Sequence, residues 1–576
     1  METQAKNTST GSVRVCQNCK KVFTIESEDF AFYEKIKVPP PTWCPTCRLV
    51  RRLAWLKGLR LYKRQCGLCK KETISMYPAG APYTVYCVHC WWSDDWDPEA
   101  YAQEYDFSRS FFEQMNEFLR KVPIMAQAIS RACSAESPYT NHCDHAKNCY
   151  LIFYSDYCED TQYGFYLTRD KSLLDSSIVF ECEECYDSMH GFRNHRVHGS
   201  HGNVTNSIDC YFLKDSKNAT DCFGSANLRN AKHVFFNEQL TKDEYEKRVG
   251  GIDLGSYRTY QEMKLRAQET WKKSVPQPYY NEFSHNSSGN YVFESKNCKE
   301  CYDAVSCEDC KYVMLIKKGK VKDCYDYTDW GENAERVYDS VTVGGGVSDV
   351  RFSQDVHGSH HVDYSKSCMG SSYLFGCSGL RTKEYYIFNK KYSKEDFDKM
   401  RARIINHMNE MPYMDKEGVA YRYGEFFPME FSPHDYNDTF AHMFCPLSEK
   451  EISARGLGWA DDTMGEYQIT KQHGELPDNI KDVDNSVLKE VVQCATCPRG
   501  YRVTPQELQF LRHHRFPLPR RCPFCRIEEK VKIWVSQMTL GERTCDKCGM
   551  SFRTNYFRKE DAPVIFCKEC YTREVV

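Results

Sequence analysis

Eight CxxC pairs, four near each end of a 576-residue chain, constrain the fold more than any other feature of the sequence. They hold half of its 32 cysteines. A CxxC turn places two sulfurs on one side of a tight knuckle, and two knuckles complete the tetrahedral four-sulfur shell that zinc prefers. The pairs are Cys16/Cys19, Cys44/Cys47, Cys66/Cys69, Cys87/Cys90, Cys494/Cys497, Cys522/Cys525, Cys545/Cys548 and Cys567/Cys570.

Paired in chain order, these knuckles predict four Zn²⁺ sites. A closed four-thiolate shell has no coordination position for water, so the sites are interpreted as structural rather than catalytic. Two alternatives stay open, namely a cross-braced pairing of the knuckles and redox-active thiols. Modules of this kind have little other core, so we expect them to unfold without metal.

The two ends are copies of one tandem module. The gap between the first and second pairs is the same at both ends, and the gap between the third and fourth pairs is longer by a single residue at the C-terminal end. The segment FTIESEDFAFYEKIKVPPPTWCPTCR from Phe23 aligns with YRVTPQELQFLRHHRFPLPRRCPFCR from Tyr501. Each contains an amphipathic helical stretch, a Pro-rich turn and a CPxCR knuckle. The spacing indicates a duplication.

Cysteine usage and the N-terminus indicate a reducing compartment. The first residues, METQAKNTSTG, are polar and show no apolar core of a secretory signal. No stretch reaches the roughly 20 apolar residues of a membrane span. We therefore expect a cytoplasmic protein whose thiols bind metal rather than form disulfides.

Charge is distributed unevenly along the chain. Residues 1–70 carry 14 Lys and Arg against 5 Asp and Glu, a net +9, and residues 494–576 carry 16 against 9, a net +7. Because the whole chain has a net charge of −3, the remainder carries about −19. Such a division suggests different partners for different parts, with nucleic acid approaching the basic ends.

The strongest basic segment is RLVRRLAWLKGLRLYKR, directly after Cys47. A helix is predicted here, with cations that contact phosphates and aromatic rings that stack on bases. The alternative is a helix packed on its own module through its leucines, with a merely solvated basic face. The candidate nucleic-acid contacts are Arg48, Arg51, Arg52, Trp55, Lys57, Arg60, Tyr62, Lys63 and Arg64.

The region from about Cys133 to Asn389 repeats a short phrase, such as NCYLIF, ECYDSM or DCYFLK, at steps of 10–14 residues. Such runs, bounded by Asn, Asp, Ser and Gly, predict short strands between tight turns. We interpret them as a parallel β-solenoid in two blocks, with a rung of about 22–25 residues made of two steps. Two small β-sandwich or barrel domains are the rival interpretation.

Two sets of residues inside the repeats are candidate ligand sites. Cys298, Cys301, Cys307 and Cys310 form either a further metal knuckle or a stack of buried thiols. The phrase VHGSH occurs twice and suggests a metal or ligand site, or else a turn retained by duplication. Its histidines, with one neighbour, are His198, His201, His357, His360 and His361.

An enzyme is the weakest interpretation of the repeats. Carboxylates such as Asp209, Asp221 and Asp355 could line a cleft, but nothing in the sequence fixes their separation. Helices are predicted at Ser108 to Val122 and after each block, where Thr241 with Glu244 and Ser393 with Asp396 fit a capping signature.

The predicted domain order is linear. It consists of a disordered tail (1–12), a double zinc module (13–98), a helical connector (99–132), repeat block 1 (133–237), a helical linker (238–284), repeat block 2 (285–389), a helix with an irregular segment (390–450), an acidic linker (451–493) and a second double zinc module (494–576).

At these motifs the chain resembles the double zinc-ribbon proteins with a CxxC-x17-CxxC domain found in ultra-small candidate-phyla bacteria. The likeness rests on SEDFAFYEKIKVPPPTWCPTCR, VYCVHCWWSDDWDP, EFFPMEFSPHDYNDTFA and LPDNIKDVDNSVLKEVVQC, and so extends over most of the chain. It implies zinc and zinc-ribbon folds but no reaction. The C-terminal module departs from the family spacing, because its last gap is one residue longer.

Together these observations predict a multi-domain, mainly β protein with terminal zinc-ribbon or treble-clef-like modules around a two-block parallel β-solenoid with helical linkers. The expected function is non-enzymatic binding, with RNA or DNA contacted through the basic zinc modules. The alternatives are a protein–protein scaffold built on the solenoid and a carbohydrate-active or other enzyme.

Overall fold

The computed structural model describes residues 11–461 and 468–576 of the chain. These residues form two compact units. Unit 1 combines the segment ending at Ala126 with Asn281–Ala460, and unit 2 combines Gln127–Tyr280 with the segment that begins at Asp461. Each unit therefore contains one double cysteine module and one repeat block, but the N-terminal module belongs with the second block. Most of the predicted tail lies outside the described residues.

The four cysteine knuckle pairs share one local architecture. A short antiparallel hairpin presents the first CxxC at its turn, and the second CxxC begins a helix. The hairpins are Ser12–Val15 with Val22–Ile25, Tyr62–Gln65 with Glu72–Ser75, Val492–Gln493 with Gly500–Tyr501, and Gly541–Thr544 with Ser551–Thr554. The corresponding helices are Pro45–Leu53, Val88–Trp91, Pro523–Gln537 and Lys568–Glu574.

Repeat block 1, in unit 2, consists of short strands paired in parallel. Tyr150 pairs with Gln162, and Gln162 with Leu174, so the register advances by 12 residues per turn, except for one turn of 13, where Gly191 pairs with Val204 and His195 with Ile208. The strands are Asn141–Asp144, Tyr150–Asp156, Gln162–Thr168, Ser177–Phe180, Met189–Phe192, His195–His198, Val204–Thr205, Ile208–Tyr211, Thr220–Phe223, Val234–Phe235 and Glu238–Gln239.

Repeat block 2, in unit 1, is built in the same way. Gly289 pairs with Cys301 and Val350 with Val362, which is the same step along the chain, while Tyr325 pairs with Tyr338 and so skips one further residue. The strands are Gly289–Phe293, Cys301–Val305, Cys307–Glu308, Met314–Lys318, Val321–Lys322, Tyr325–Gly331, Ala334–Gly344, Val347–Arg351, Gln354–His357, His360–Asp363, Ser372–Phe375, Glu384–Ile387 and Lys390–Lys391.

Left-handed residues explain this short period. Along block 1 every third residue has a positive φ, as at Tyr154, Tyr157, Asp160 and Tyr163. With a bend every three residues, four short sides complete one turn of the block. The chain then lies alongside the strand on which that turn began. The predicted rung made of two phrases is therefore wrong, because the parallel pairing recurs after one. Parallel pairing also does not fit the antiparallel sandwich alternative.

Small polar side chains line the interior of the blocks. Ser353 Oγ donates to Arg351 O at 2.8 Å and accepts from the backbone N–H of Ser365, 12 residues later, at 3.1 Å. The pattern repeats one turn later, where the backbone N–H of Cys377 donates to Ser365 Oγ at 3.1 Å. These side chains form hydrogen bonds with backbone groups at the bends. The pairing between strands leaves those groups without partners.

Each block ends in an antiparallel hairpin followed by a capped helix. Thr241 caps Lys242–Gly250 with a capping box, and the Ser393 hydroxyl caps Lys394–Glu410, as the sequence predicted. The predicted helix near Ser108 is also confirmed, as Phe111–Lys121 with Ser110 as its cap.

The remaining elements are one long helix, Tyr257–Lys273, and several short ones. The helices are Arg131–Glu136, Tyr257–Lys273, Phe440–Phe444, Glu449–Ala454 and Pro505–His514, and Ser27–Lys35 lies between the first two knuckles. Short strands pair Val85–Tyr86 with Ile124–Met125 and Tyr413–Met414 with Ala420–Tyr421. The 3₁₀ turns are Pro98–Tyr101, Met429–Phe431, Tyr436–Asp438, His473–Glu475, Ile480–Asp482 and Asn485–Lys489. Of the described helices, none has the length and apolar character that spanning a bilayer requires.

The segment before the C-terminal module was predicted as an acidic, loosely packed linker. Residues 462–467 of it lie outside the described part of the chain. From residue 468 onward it is an ordered strap of unit 2 that buries Leu476, Ile480 and Val487. Arg520 donates to the backbone carbonyl of Leu476 at 2.9 Å and so fixes the strap to the module.

Candidate metal centres

The structure brings the sixteen CxxC cysteines together in four groups of four, and every group joins two knuckles that are consecutive in the chain. Within each group the four sulfurs lie within 4.8 Å of one another. We name them site A (Cys16, Cys19, Cys44, Cys47), site B (Cys66, Cys69, Cys87, Cys90), site C (Cys494, Cys497, Cys522, Cys525) and site D (Cys545, Cys548, Cys567, Cys570). The cross-braced alternative is excluded by this grouping.

The sulfur separations suit a tetrahedral metal ion. The Cys19 and Cys44 sulfurs are 3.7 Å apart in site A, and those of Cys548 and Cys567 are 3.8 Å apart in site D. A tetrahedron with metal–sulfur bonds of about 2.3 Å places neighbouring sulfurs about 3.8 Å apart. The knuckles therefore already hold the spacing that a bound ion needs.

One backbone hydrogen bond recurs in all four sites, where the third cysteine donates its N–H to the sulfur of the first. The N to Sγ distances are 3.2 Å for Cys44 to Cys16, 3.2 Å for Cys87 to Cys66, 3.1 Å for Cys522 to Cys494 and 3.2 Å for Cys567 to Cys545. Such a bond stabilises a thiolate, which is the ligating form of cysteine.

The pKa values of Cys66, Cys494 and Cys545 reflect these bonds. Burial alone raises the pKa of Cys494 and Cys545, but donated N–H groups outweigh burial and lower both pKa values to about 6. The pKa of Cys66 is lowered to about 7 in the same way. Hydrogen bonds thus prepare one sulfur of each of these sites for a cation.

The helix that begins at site A carries buried arginines. Arg48 Nη2 lies 2.9 Å from Asp326 Oδ2, and Arg52 Nη1 lies 2.8 Å from Asp339 Oδ1 and 3.2 Å from Asp326 Oδ1. All four side chains are 2% exposed or less. Both aspartates belong to repeat block 2, so this helix docks on the strand ladder of its own unit.

The third arginine of the helix is buried as well. Arg51 donates to Asp339 at 2.7 Å and to Glu425 at 2.6 Å, and its guanidinium carbon lies 4.4 Å from the centre of the Trp43 ring. Its charge is thus matched by two carboxylates and covered by an aromatic face.

These contacts correct the predicted nucleic-acid surface. Arg48, Arg51 and Arg52 are internal and offer no cation to a phosphate. Trp55 is 1% exposed and packs against Phe427 with ring centres 5.1 Å apart, so it is not available to stack on a base. The sequence identified cations but not their acidic partners, which lie in the other half of the chain.

The rest of the predicted basic helix is not helical. The helix ends at Leu53, and Tyr62 and Lys63 lie on a hairpin strand. Lys57 is buried in an ion pair with Asp438, whose carboxylate also accepts from Tyr62 at 2.6 Å.

Three basic residues of the segment remain at least partly accessible. Arg60 and Arg64 are half-buried, and Arg64 donates to the carbonyl of Pro78 at 2.9 Å. Lys63 is 63% exposed and lies 3.2 Å from Glu72 on the neighbouring strand. These three are too few to form the cationic surface that the sequence predicted.

The helix after site C docks in the same manner on block 1 of unit 2. Arg526 pairs with Asp175 and lies 2.9 Å from Glu507, and Lys530 Nζ lies 2.6 Å from Asp187. The exposures of Arg526 and Lys530 are 8% and 3%.

Asp187 forms ion pairs with two lysines, because Lys264 Nζ also lies 2.5 Å from its carboxylate. Burial acts to raise the pKa of Asp187, but the two ammonium groups outweigh burial and hold its pKa well below the ordinary range.

The geometry of the two elements explains why the docking repeats. In each unit the paired cations lie one helical turn apart, and the two aspartates lie one repeat apart on adjacent, parallel-paired turns of the block. Helical positions one turn apart share a face at about 5–6 Å, and adjacent strands are about 4.8 Å apart. The two spacings match, so cations one helical turn apart reach aspartates on adjacent strands. The acidic middle and basic ends of the chain therefore neutralise one another within each unit.

The cysteines inside block 2 form no further metal knuckle. Cys298, Cys301, Cys307 and Cys310 are buried in the core of the block and fall in none of the metal-binding groups of the described chain. Their thiols donate to the carbonyl two residues earlier at 3.2 to 3.6 Å. The interpretation as stacked buried thiols is the one that fits.

The VHGSH histidines of block 1 are packed against aromatic rings. His198 is buried beside Phe516, with ring centres 4.8 Å apart, and His201 lies beside Trp271 at 5.9 Å. Burial lowers the pKa of His201 to about 3, so its ring is neutral. Neither residue belongs to a metal-binding group in the part of the chain described.

Their counterparts in block 2 contact separate neighbours. His357 Nε2 lies 3.2 Å from Asp355, His360 Nδ1 lies 2.9 Å from the Ser348 hydroxyl, and His361 stacks on Tyr373. The described residues therefore hold no common site built from these histidines.

The carboxylates of the weaker enzyme interpretation are held by neighbouring side chains. Asp209 receives Arg196 in a two-pronged contact at 2.5 and 2.9 Å. His233 lies 3.8 Å from Asp221, and Ser367 donates to Asp355 at 2.9 Å.

Unit 2 also contains a cleft of about 730 Å³ that the sequence did not indicate. It is lined by Trp271 and Lys273 at the end of one helix and by Tyr556 and Phe557 after the site D hairpin. Phe557 is 38% exposed. The Oδ1 atom of Asn555, also in the lining, is buried without a hydrogen-bond partner. Aromatic faces, cations and an unsatisfied polar atom are what a bound polar aromatic ligand requires.

Comparisons with known proteins give no family for the chain. No protein-family model matches it, and no curated protein does. A solved structure assigned as an acetyltransferase from Desulfovibrio desulfuricans G20 is similar over 49% of this chain and 85% of that chain, with 9% identity and a TM-score of 0.10. A score this low supports no conclusion about fold or activity.

Proposed function

We propose that the protein is a zinc-dependent, non-enzymatic binding scaffold in which four structural Zn²⁺ ions hold the terminal modules against the repeat blocks. The docking of a knuckle helix on paired aspartates, repeated in both units, carries this proposal. The chain's likeness to double zinc-ribbon proteins, drawn from its motifs, agrees with it. A four-sulfur donor set favours zinc over harder cations.

Metal binding is coupled to docking because the ligands begin the docked helices. Cys44 is the cap residue of the helix that carries Arg48 and Arg52, and Cys522 caps the helix that carries Arg526. A metal ion that fixes the cap therefore fixes the direction of the helix and of its buried cations. The modules have small cores, so the ion supplies much of their stability.

We further propose that the short-period parallel ladders are the turns of two β-solenoid stacks, one in each unit. Stacked turns present long, regular faces, which suit recognition of an extended partner surface. The partner class in this proposal is protein, since the strongest cations of the modules are internal.

The zinc proposal is tested by metal analysis of the full chain. We expect four zinc ions per chain by elemental analysis, and loss of near-ultraviolet circular dichroism when a chelator removes them. Cys47→Ser should lower the zinc content by one equivalent. Cys445→Ser is the matched control, because Cys445 is equally half-buried but belongs to no site, and it should keep all four. Unchanged tertiary signals after chelation would contradict a structural role.

Nucleic-acid binding is a second candidate, favoured now by the cleft of unit 2 rather than by the helix after Cys47. Tyr556 and Phe557 offer partly or fully exposed rings, the buried Trp271 forms part of the wall, and Lys273 is an exposed cation of the lining. Base stacking on aromatic side chains is worth about 1–3 kcal/mol per base.

A labelled single-stranded RNA oligonucleotide tests this second candidate. We expect binding that weakens with salt, and a loss of about tenfold in affinity for Phe557→Ala, in line with one stacking contact. Lys273→Glu should weaken binding, whereas Lys63→Glu, an exposed lysine of unit 1, should not. Equal affinity for all three variants and the unchanged chain would exclude the cleft.

A further inference from the structure

A cluster outside the cysteine sites has the composition of an open metal centre. Glu184, His513 and His514 each place a ligand atom within 4.8 Å of the others, and all three belong to unit 2. Two imidazoles and one carboxylate are a common donor set for divalent transition metals, and three protein ligands leave a position for water. Nothing in the VHGSH or CxxC patterns indicated this cluster.

The two elements that supply the ligands hold them in place. His513 and His514 close the helix Pro505–His514, while Glu184 lies at a left-handed bend of block 1. The His514 ring is wedged against Phe510, with ring centres 4.4 Å apart. One imidazole is thus rigid, whereas His513 is exposed and can rotate to complete a shell.

The helix end and a neighbouring arginine both bear on a cation at this cluster. Both histidines lie in the last turn of the helix Pro505–His514, and the C-terminal end of a helix stabilises positive charge. Arg196 Nη1 lies 4.0 Å from Glu184 Oε2, while the same guanidinium donates to Asp209 at 2.5 and 2.9 Å.

Unit 1 lacks the cluster at the equivalent place. The aligned segments put Lys35 where unit 2 has His513 and Ile36 where it has His514. Lys35 pairs with Asp323 at 2.6 Å, and the backbone of both helix ends is alike, with left-handed residues at Lys37 and Arg515. The duplicated fold therefore accepts other residues here, so folding alone does not account for two adjacent histidines beside a glutamate.

We propose that Glu184, His513 and His514 bind one divalent transition-metal ion of the zinc class in a fifth, solvent-accessible site. This ion differs from those of sites A to D in having an open coordination position, which can hold water or a donor group from a partner. We expect the ion to bind reversibly, because all three ligands are at least partly exposed and Arg196 lies 4.0 Å from the Glu184 carboxylate.

Cobalt substitution distinguishes the fifth site from the four-sulfur sites. The full chain is loaded with Co²⁺, and bound metal is counted by elemental analysis while absorption is recorded. Thiolate-bound cobalt shows sulfur-to-metal charge-transfer bands, whereas an imidazole–carboxylate site shows only weak ligand-field bands. We expect one equivalent that adds no charge-transfer intensity and dissociates first on dialysis against a mild chelator.

The decisive variant is His513→Lys/His514→Ile, which carries the residues of unit 1. It should lose this one equivalent and keep the thiolate bands. The control is His360→Ala/His361→Ala, an adjacent exposed pair in unit 1, which should lose nothing. If the unchanged chain binds only thiolate-coordinated cobalt, or if the unit 1 residues leave the weak site intact, the proposal is wrong. Cys47→Ser removes thiolate intensity without touching the fifth equivalent, so failures of the two proposals are distinguishable.

Discussion

The two units fix a zinc-type module to a repeat block with the same geometry but different cations. In unit 1 three arginines make a network with Asp326, Asp339 and Glu425. In unit 2 Arg526 and Lys530 each address an aspartate of their own. The comparison shows that both units place their docking cations one helical turn apart, while the number of hydrogen bonds at each cation differs between the units.

Removal of one docking aspartate is expected to give the largest difference between the units. Asp339→Ala leaves Arg51 and Arg52 without a shared carboxylate, and breaking a buried ion pair in this way costs about 3–5 kcal/mol. Asp187→Ala strands Lys264 and Lys530, but Lys264 is 20% exposed and can turn to water, so we expect a smaller loss. Hydrogen–deuterium exchange of peptides from each unit measures both. Equal protection losses would refute the distinction.

Acid should act on unit 2 through His190, which burial holds at a pKa of about 3. Above about pH 6.5 this histidine is neutral in the folded and unfolded states alike. As the pH falls from 6.5 toward 3, only the unfolded state takes up the proton, so stability is lost at up to about 1.4 kcal/mol per pH unit.

His190→Thr, which replaces the imidazole by a side chain that does not titrate, is the test variant. We expect the difference in unfolding free energy between pH 6.5 and pH 5 to shrink by about 2 kcal/mol in this variant. Urea unfolding at the two pH values measures it. An unchanged pH dependence would show that His190 is not the responsible group.

Exchanging the cation types sharpens the comparison further. Arg52→Lys removes donors that serve Asp326, Asp339 and Thr328 together, and we expect a cost of about 1–3 kcal/mol because lysine cannot span several acceptors. Lys530→Arg should change unit 2 by less, since one carboxylate is addressed. Thermal unfolding of the two variants gives the values, and a larger loss for Lys530→Arg would reverse our account.

The smallest effect is expected for Lys63, the exposed remnant of the predicted basic helix. Its pair with Glu72 is solvated on both sides, and pairs of this kind contribute about 0–1 kcal/mol. Lys63→Glu should leave the thermal midpoint almost unchanged, whereas Arg51→Glu should unfold unit 1. A substantial loss for Lys63→Glu would mean that the exposed strand contributes to docking after all.

The sequence was informative where the signal is local. Neighbouring residues decide three features that the sequence predicted. These are the sequential grouping of the knuckles, the helix caps at Thr241 and Ser393, and the step length between the short phrases. The predicted length of the parallel repeat was wrong, because one sequence phrase, not two, completes a turn of the block. The clue lay in the frequent Asn and Asp at three-residue steps, which tolerate the left-handed conformation.

The docking could not be predicted, because a basic run looks the same whether it faces solvent or a carboxylate. Arg51 and Asp339 are 288 residues apart, and no periodicity links them. The Glu184, His513 and His514 cluster joins residues from distant segments in the same way. Burial and partnership are properties of the folded chain, and one sequence without its fold does not specify them.

The N-terminal module belongs to the same unit as block 2, which is synthesised much later. This grouping sets the order in which the two units can form during synthesis. A ribosome that adds about 5–20 residues per second needs roughly 15–60 s to extend the chain from Arg51 to Asp339. During that interval sites A and B can take up metal while the arginines of the first module still face solvent. Unit 1 can close once its segment to Ala460 has emerged, and unit 2 only when the last cysteines follow. We therefore expect the nascent chain to carry a loaded but undocked N-terminal module, whose temporary basic surface is matched only when block 2 leaves the ribosome.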